Sequence, residues 1–178
     1  PKRCAVQSRE QKLTYEELEE YSNRLAVWIA KNSQDRKRPV IVYGHKNPYM
    51  VVCFLACAKA GRSYVPQDIC IPVSRVDETV LSVEPELTFV VEGDYQTEIG
   101  TEIRKDEIEE IVKQETNETD VLQPLTKDEV WYIIFTSGST GKPKGVEITR
   151  DCLSHYLDWS VQLGSTMKEK SGAHFMNQ

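Results

Sequence analysis

Val130-Trp-Tyr-Ile-Ile-Phe-Thr-Ser-Gly-Ser-Thr-Gly-Lys-Pro-Lys-Gly-Val146 consists of two unlike halves. Its first six residues are all apolar or aromatic, and a short run of that kind predicts a strand. Because no polar residue alternates with them, burial on both faces is expected, which makes Tyr132 to Phe135 a central strand of a parallel-rich sheet. After Phe135 the chemistry changes at once. Thr136, Ser137, Ser139 and Thr140 place four hydroxyls within five residues. Gly138, Gly141 and Gly145 carry no side chain, so backbone N–H groups there can approach an anion. Lys142 and Lys144 add positive charge. Hydroxyls, bare amides and lysines delivered by a strand make a candidate phosphate site, although composition alone fits a flexible turn equally well.

Upstream, strand and helix signals alternate. Residues 14–32 predict an amphipathic helix, with Leu18, Tyr21, Leu25, Trp28 and Ile29 at helical spacing. Thr14 can cap it, and Glu17 completes a capping box. Residues 40–44 and 87–91 read as short buried strands, and 64–66 as a very short extended segment. Residues 48–60 and 72–83 read as helices, each with a proline at its start, and Gly61 stands just past the end of the former. Residues 92–126 are acidic and weakly patterned, with Ile103, Ile108, Ile111 and Val112 able to line one short helix. Beyond the central stretch, 146–148 resume as a strand and 150–163 as a helix. Such alternation predicts an α/β fold: a parallel-rich sheet flanked by helices.

The bulk properties narrow the function classes. A length of 178 residues suits one domain. The net charge of −6 gives no general grip on nucleic acid or on an anionic membrane. No apolar run reaches membrane-spanning length, and no signal peptide is expected ahead of the first helix. Arg36, Lys37 and Arg38 beside Pro39 read as a solvated turn. The five cysteines, Cys4, Cys53, Cys57, Cys70 and Cys152, include no C-x-x-C pair. They are expected to be reduced and buried, in a cytoplasmic protein, with Cys53 and Cys57 on one side of a helix. His45, His155 and His174 have no metal or triad spacing, so no metal site is expected, and Trp28, Trp131 and Trp159 read as core. The chain opens on Pro1 rather than Met, so a processed or partial sequence is expected.

The loop is neither a Walker motif nor a dinucleotide fingerprint. Only Ser139 and Thr140 separate Gly138 from Gly141, Pro143 follows Lys142, and G-x-G-x-x-G is absent. In residue order, Tyr132 to Val146 resembles the signature loop of the adenylate-forming superfamily, which includes acyl-CoA synthetases, luciferases and peptide-synthetase adenylation domains. The resemblance implies that the loop embraces the phosphates of ATP. It puts the ATP contacts on Thr136 and Ser137 first, with Gly138, Ser139, Thr140, Gly141 and Lys144 around them, and it implies Mg²⁺ with the nucleotide.

A second segment, Lys59-Ala-Gly-Arg-Ser-Tyr-Val-Pro-Gln-Asp-Ile-Cys-Ile-Pro-Val-Ser-Arg75, resembles another motif of that superfamily. Its residues read as scaffold: Gly61 ends a helix, Pro66 and Pro72 fix the path, and Asp68 is expected to pair with Arg75. Gln67 departs from the aliphatic residue more usual there. Together with Val40-Ile-Val-Tyr-Gly-His45 and the closing Phe175-Met-Asn-Gln178, the resemblance is greatest to the D-alanine–D-alanyl carrier protein ligases. It implies activation of D-alanine and its transfer to the phosphopantetheine arm of a D-alanyl carrier protein, for teichoic acid D-alanylation at the cell wall. It further implies that residues 1–178 are a partial N-terminal AMP-binding domain. The amino-acid pocket, the adenine and ribose contacts and the catalytic lysine would then lie beyond Gln178, with no catalytic residue inside this stretch. Two alternatives stay open: an adenylation domain for another amino acid, and a truncated non-catalytic module that binds the carrier protein.

Overall fold

Thr14 begins the first helix as its sequence predicts. Its hydroxyl accepts the Glu17 N–H at 3.2 Å, and Glu17 Oε2 accepts the Thr14 N–H at 2.8 Å, which satisfies two of the donors a helix start leaves unpaired. The computed structural model describes residues 2–116, 118–137 and 143–166. Helix α1 (Tyr15–Asn32) follows a small antiparallel hairpin of β1 (Cys4–Gln7) and β2 (Lys12–Thr14). It buries Leu18, Leu25, Ala26 and Ile29 on one stripe, each large side chain worth about 1.5–3 kcal/mol.

The main sheet has six strands: β3 (Val40–Gly44), β4 (Tyr64–Asp68), β5 (Leu87–Val90), β6 (Thr101–Arg104), β7 (Val130–Ser137) and β8 (Pro143–Thr149). Their order is β6-β5-β3-β4-β7-β8. Every neighbouring pair is parallel except β7 with β8, which form an antiparallel hairpin. Residues on successive positions of β3 and β5 go to opposite faces, as the pleat requires. Val40, Val42, Leu87 and Phe89 join α1 and α2 (Pro48–Lys59) in one core cluster. Ile41, Tyr43 and Val90 join Val76 and Val80 of α3 (Val73–Val83) in the other. Helices on both faces explain why these strands are continuously apolar.

Cross-links between elements come from polar and aromatic side chains. Lys59 Nζ donates to Ser22 Oγ and Asn23 Oδ1, both at 2.8 Å, tying α2 to α1. Tyr21 and Tyr49 stack between the same helices at 6.2 Å. Gly61 adopts φ +70°, and a Cβ there would stand 2.1 Å from the Gln123 carbonyl oxygen, so both its conformation and its space demand glycine.

Several expectations are corrected. β7 is not central: it is next to last, paired through one register position to β4 and along its length to edge strand β8. Its apolar run is only partly covered, and Ile134 is 41% exposed beside Val146 at 48%. Among the described residues, no helix covers that flank as α1 and α2 cover β3. The acidic stretch 92–126 holds more order than its pattern implied. Ile103 lies in β6, while Ile108 and Val112 are the buried residues of α4 (Lys105–Lys113). Arg36 and Arg38 do not simply face water. Arg36 donates to Gln123 Oε1 at 2.7 Å, and Arg38 donates to the Glu84 carbonyl. Only Cys53 and Cys57 are buried, whereas Cys4, Cys70 and Cys152 are exposed. Trp159 is 57% exposed on α5 (Arg150–Thr166), not core.

Candidate functional site

Strands β3, β4 and β7 run parallel and finish at one rim of the sheet. Gly44 ends β3 in register with Asp68, which ends β4. A cleft of ≈ 490 Å³ opens there. Gly44, Asp68 and Thr136 line it from the strand ends, Arg75 and Thr79 from α3, and Pro143 from β8. Ligands of open α/β sheets sit at this place, outside the carboxyl ends of the strands.

The β7–β8 hairpin sets one wall. Thr136 lies opposite Lys144, and Ser137 opposite Pro143, in the antiparallel register. Side chains at directly opposed positions share a face, so the Thr136 hydroxyl and the Lys144 ammonium belong to the same side of the hairpin. Both residues are exposed. Among the described residues, the Thr136 hydroxyl has only a 3.5 Å contact to the Lys144 carbonyl oxygen, at the weak limit of a hydrogen bond, and it can turn to a better acceptor.

Lys144 and Gly145, expected at the phosphate site, lie in β8. Gly145 faces Phe135, and a Cβ on it would meet Ile133 Cγ2 at 3.0 Å and the Phe135 ring at 3.1 Å. The glycine there makes room for side chains packed across the hairpin. Gly138, Ser139, Thr140, Gly141 and Lys142 lie outside the described residues, as does the side chain of Ser137.

Asp68 does not pair with Arg75. His45 Nδ1 stands 2.7 Å from its Oδ2, and the Cys70 N–H donates to its Oδ1 at 2.8 Å. Partial burial resists ionisation of this carboxyl, yet the Cys70 N–H and His45 outweigh it and hold Asp68 below its ordinary value. The Cys70 thiol is raised, because its hydrogen bond to the Asp68 carboxylate favours the protonated form. Arg75 lines the cleft with Thr136 instead. One ligand atom each from His45, Asp68 and Cys70 falls within 4.8 Å of the others. The sequence reading missed this group because His45 and Asp68 are 23 positions apart. The available signal was that each follows or ends an apolar strand run. Of the other histidines, His155 stands 3.4 Å from Asp151 on exposed α5, and His174 lies outside the described residues.

As for the implied Mg²⁺, it prefers oxygen donors, commonly one or two carboxylates together with phosphate oxygens. Among the described residues lining the cleft, Asp68 is the only carboxylate. This wall therefore fits a magnesium ion that arrives with phosphates better than a dedicated protein cage. Among the described residues, no helix is long and apolar enough to cross a membrane.

Comparison with known proteins agrees with this geometry. The chain is 37% identical over its whole length to D-alanine–D-alanyl carrier protein ligases of Bacillus thuringiensis (strain Al Hakam) and Bacillus cereus (strain B4264). It spans about a third of those curated relatives, 35% of their length. Among solved structures, O-succinylbenzoate coenzyme A synthetase (MenE) from Bacillus subtilis in complex with AMP superposes with a TM-score of 0.75. That match is 22% identical and covers 96% of this chain and 44% of that one. The N-terminal subdomain of NpsA from Klebsiella oxytoca, in complex with 3-hydroxybenzoyl-AMSN, gives a TM-score of 0.70 at 25% identity, covering 84% of this chain and 38% of that one. The mixed sheet flanked by helices is thus the N-terminal subdomain fold of adenylate-forming enzymes. The AMP-binding enzyme family matches residues 1–173, and this chain belongs to that family.

Proposed function

We propose that the chain is the ATP-handling front of a ligase that activates D-alanine as D-alanyl-AMP and transfers it to a carrier protein. The observation that carries this is the β7–β8 hairpin, which brings the Thr136 hydroxyl to the rim of the cleft with Lys144 opposite it. In this reading Thr136 and Ser137 donate to phosphate oxygens. Gly138, Ser139, Thr140 and Gly141 supply further hydroxyl and backbone donors, and Lys144 offsets negative charge. When bound, Mg²⁺ would neutralise phosphate charge that one hairpin and its lysines cannot balance alone.

The reaction attacks the α-phosphate with the D-alanine carboxylate and expels pyrophosphate. The phosphopantetheine thiol of the carrier protein then takes the acyl group and releases AMP. No group that performs these bond changes is assigned to residues 1–178, whose part is to bind and orient the triphosphate. Residues 1–178 are accordingly the first part of a larger AMP-binding domain. The 37% identity to D-alanine–D-alanyl carrier protein ligases supports D-alanine over other amino acids, with teichoic acid D-alanylation as the pathway and the cytoplasm, where ATP is available, as the location.

The test is amino-acid-dependent exchange of pyrophosphate into ATP by the full-length protein. D-alanine is expected to drive exchange best. Preference for a different amino acid would redirect the proposal to a peptide-synthetase type of adenylation. Absence of exchange with every amino acid would leave only a binding role and defeat the proposal.

A further inference from the structure

We propose that His45, Asp68 and Cys70 form a binding site for one thiophilic divalent cation, Zn²⁺ foremost, beside the cleft that Asp68 and Cys70 line. The inference is separate from the nucleotide reading. It rests on how two strands end. Gly44 and Asp68 are the final, register-paired residues of adjacent parallel strands, so the imidazole of the next residue, His45, and the Asp68 carboxylate are brought together by the pairing of β3 with β4. Their atoms are 2.7 Å apart. Cys70 follows two residues later, in a turn pinned by its own N–H on Asp68 Oδ1 at 2.8 Å.

The donor set decides the class of ion. Imidazole nitrogen, carboxylate oxygen and thiolate sulfur together suit zinc and its neighbours, whereas Mg²⁺ and Ca²⁺ take oxygen almost exclusively. Donors around one tetrahedral zinc stand roughly 3–4 Å apart, given metal–ligand bonds of about 2.0–2.3 Å. The three atoms here already lie within 4.8 Å of one another. Exposed side chains reach the required spacing by small torsional changes: Cys70 is exposed and the His45 and Asp68 side chains are 35% and 42% exposed. Three protein ligands leave a fourth position for water or an incoming group, the composition of an open rather than a closed zinc site. The ion replaces the thiol proton of Cys70, which leaves to solvent. In the metal-free site Nδ1 donates its hydrogen to the Asp68 carboxylate; on binding, the neutral imidazole carries its single hydrogen on Nε2 instead, which leaves the Nδ1 lone pair for the ion. Asp68 and Cys70 line the same cleft as Thr136, so the ion's charge would stand in the wall facing that site.

The experiment titrates Co²⁺ into the metal-stripped protein and follows the thiolate-to-cobalt charge-transfer band. One ion per chain is expected, displaced by Zn²⁺ and not by a large excess of Mg²⁺. Cys70→Ser should abolish the band. His45→Ala should weaken binding at least about tenfold, the scale seen even for supporting residues around a metal. Joint replacement Cys4→Ser and Cys152→Ser should leave the band intact. Thermal melting of each variant separates lost ligation from lost fold. For the unaltered protein, Zn²⁺ should slow alkylation of Cys70 and not of Cys4, read by mass spectrometry. No band, a band that survives Cys70→Ser, His45→Ala binding as tightly as the parent, or alkylation of Cys70 indifferent to Zn²⁺ would each overturn the proposal.

Discussion

Thr136 and Lys144 occupy directly opposed positions of the β7–β8 ladder, with the threonine hydroxyl 3.5 Å from the lysine's own carbonyl oxygen. Among the described residues this hydroxyl, held by a strand, makes only that weak contact, which leaves its donor capacity for another acceptor. That combination suits a group waiting for an anionic acceptor. Replacing Thr136 and Ser137 together by Ala in the full-length protein should leave melting unchanged and lower adenylate formation about 100-fold or more, the usual effect of removing a donor aimed at developing charge. Near-normal adenylate formation at saturating ATP would reduce the hairpin to a structural turn.

Lys144→Ala is expected to act more mildly. Its ammonium is exposed on a flexible stem, so Lys142 or a metal ion can take over part of its charge. Adenylate formation should fall, with the loss growing at low Mg²⁺, while Lys144→Arg retains more activity than Lys144→Ala. A loss from Lys144→Ala equal at all Mg²⁺ concentrations would mean that the lysine does something a cation cannot share.

How much of this was visible in the sequence depended on how local each feature was. The capping box of Thr14 and Glu17, the strand at Val40 and the glycine after α2 follow from spacing and backbone stereochemistry within a few residues, and all are present. The place of β7 in the sheet was not local. Its six apolar residues resemble those of β3, but what covers a strand is decided by distant elements, and Ile134 is left exposed. Asp68 shows the same limit inside the candidate site. Arg75 was nearer in sequence, yet the parallel pairing of β3 with β4 delivers His45 to the carboxylate instead. Likewise Gly145 fits a phosphate loop by composition, and only strand register reveals that Phe135 packs across it.

Gly61→Ala should destabilise the fold without touching the cleft. The residue holds φ +70°, and the added methyl would overlap the Gln123 carbonyl and the Arg36 guanidinium. A strained backbone position costs on the order of 1–3 kcal/mol, and displacing backbone adds to that. The loss of melting temperature should be largest for Gly61→Val and absent for a surface control such as Glu10→Ala. An unchanged melting temperature for Gly61→Ala would show that the junction between α2 and the Arg36–Gln123 contact yields freely.

Acid should loosen the molecule through two carboxylates that accept backbone N–H groups, Glu17 at the start of α1 and Glu129 in the turn before β7. The Thr14 N–H and hydroxyl hold the Glu17 carboxyl below its ordinary value of 4.5, and the Thr126 N–H does the same for Glu129. A carboxyl whose value is lower in the folded than in the unfolded chain binds fewer protons when folded. Its contribution is therefore complete above the ordinary carboxylate value and disappears as pH falls through the lowered one. Melting temperatures measured from about pH 6 to about pH 3 should drop. The variant carrying Glu17→Gln and Glu129→Gln should melt lower than the parent at neutral pH and lose less on acidification, so the two curves converge at low pH. The convergence isolates these two groups from the remaining carboxylates, which both proteins share. Parallel curves over the whole range would mean that neither carboxylate is bound more strongly to its backbone donor in the folded chain than in the unfolded one.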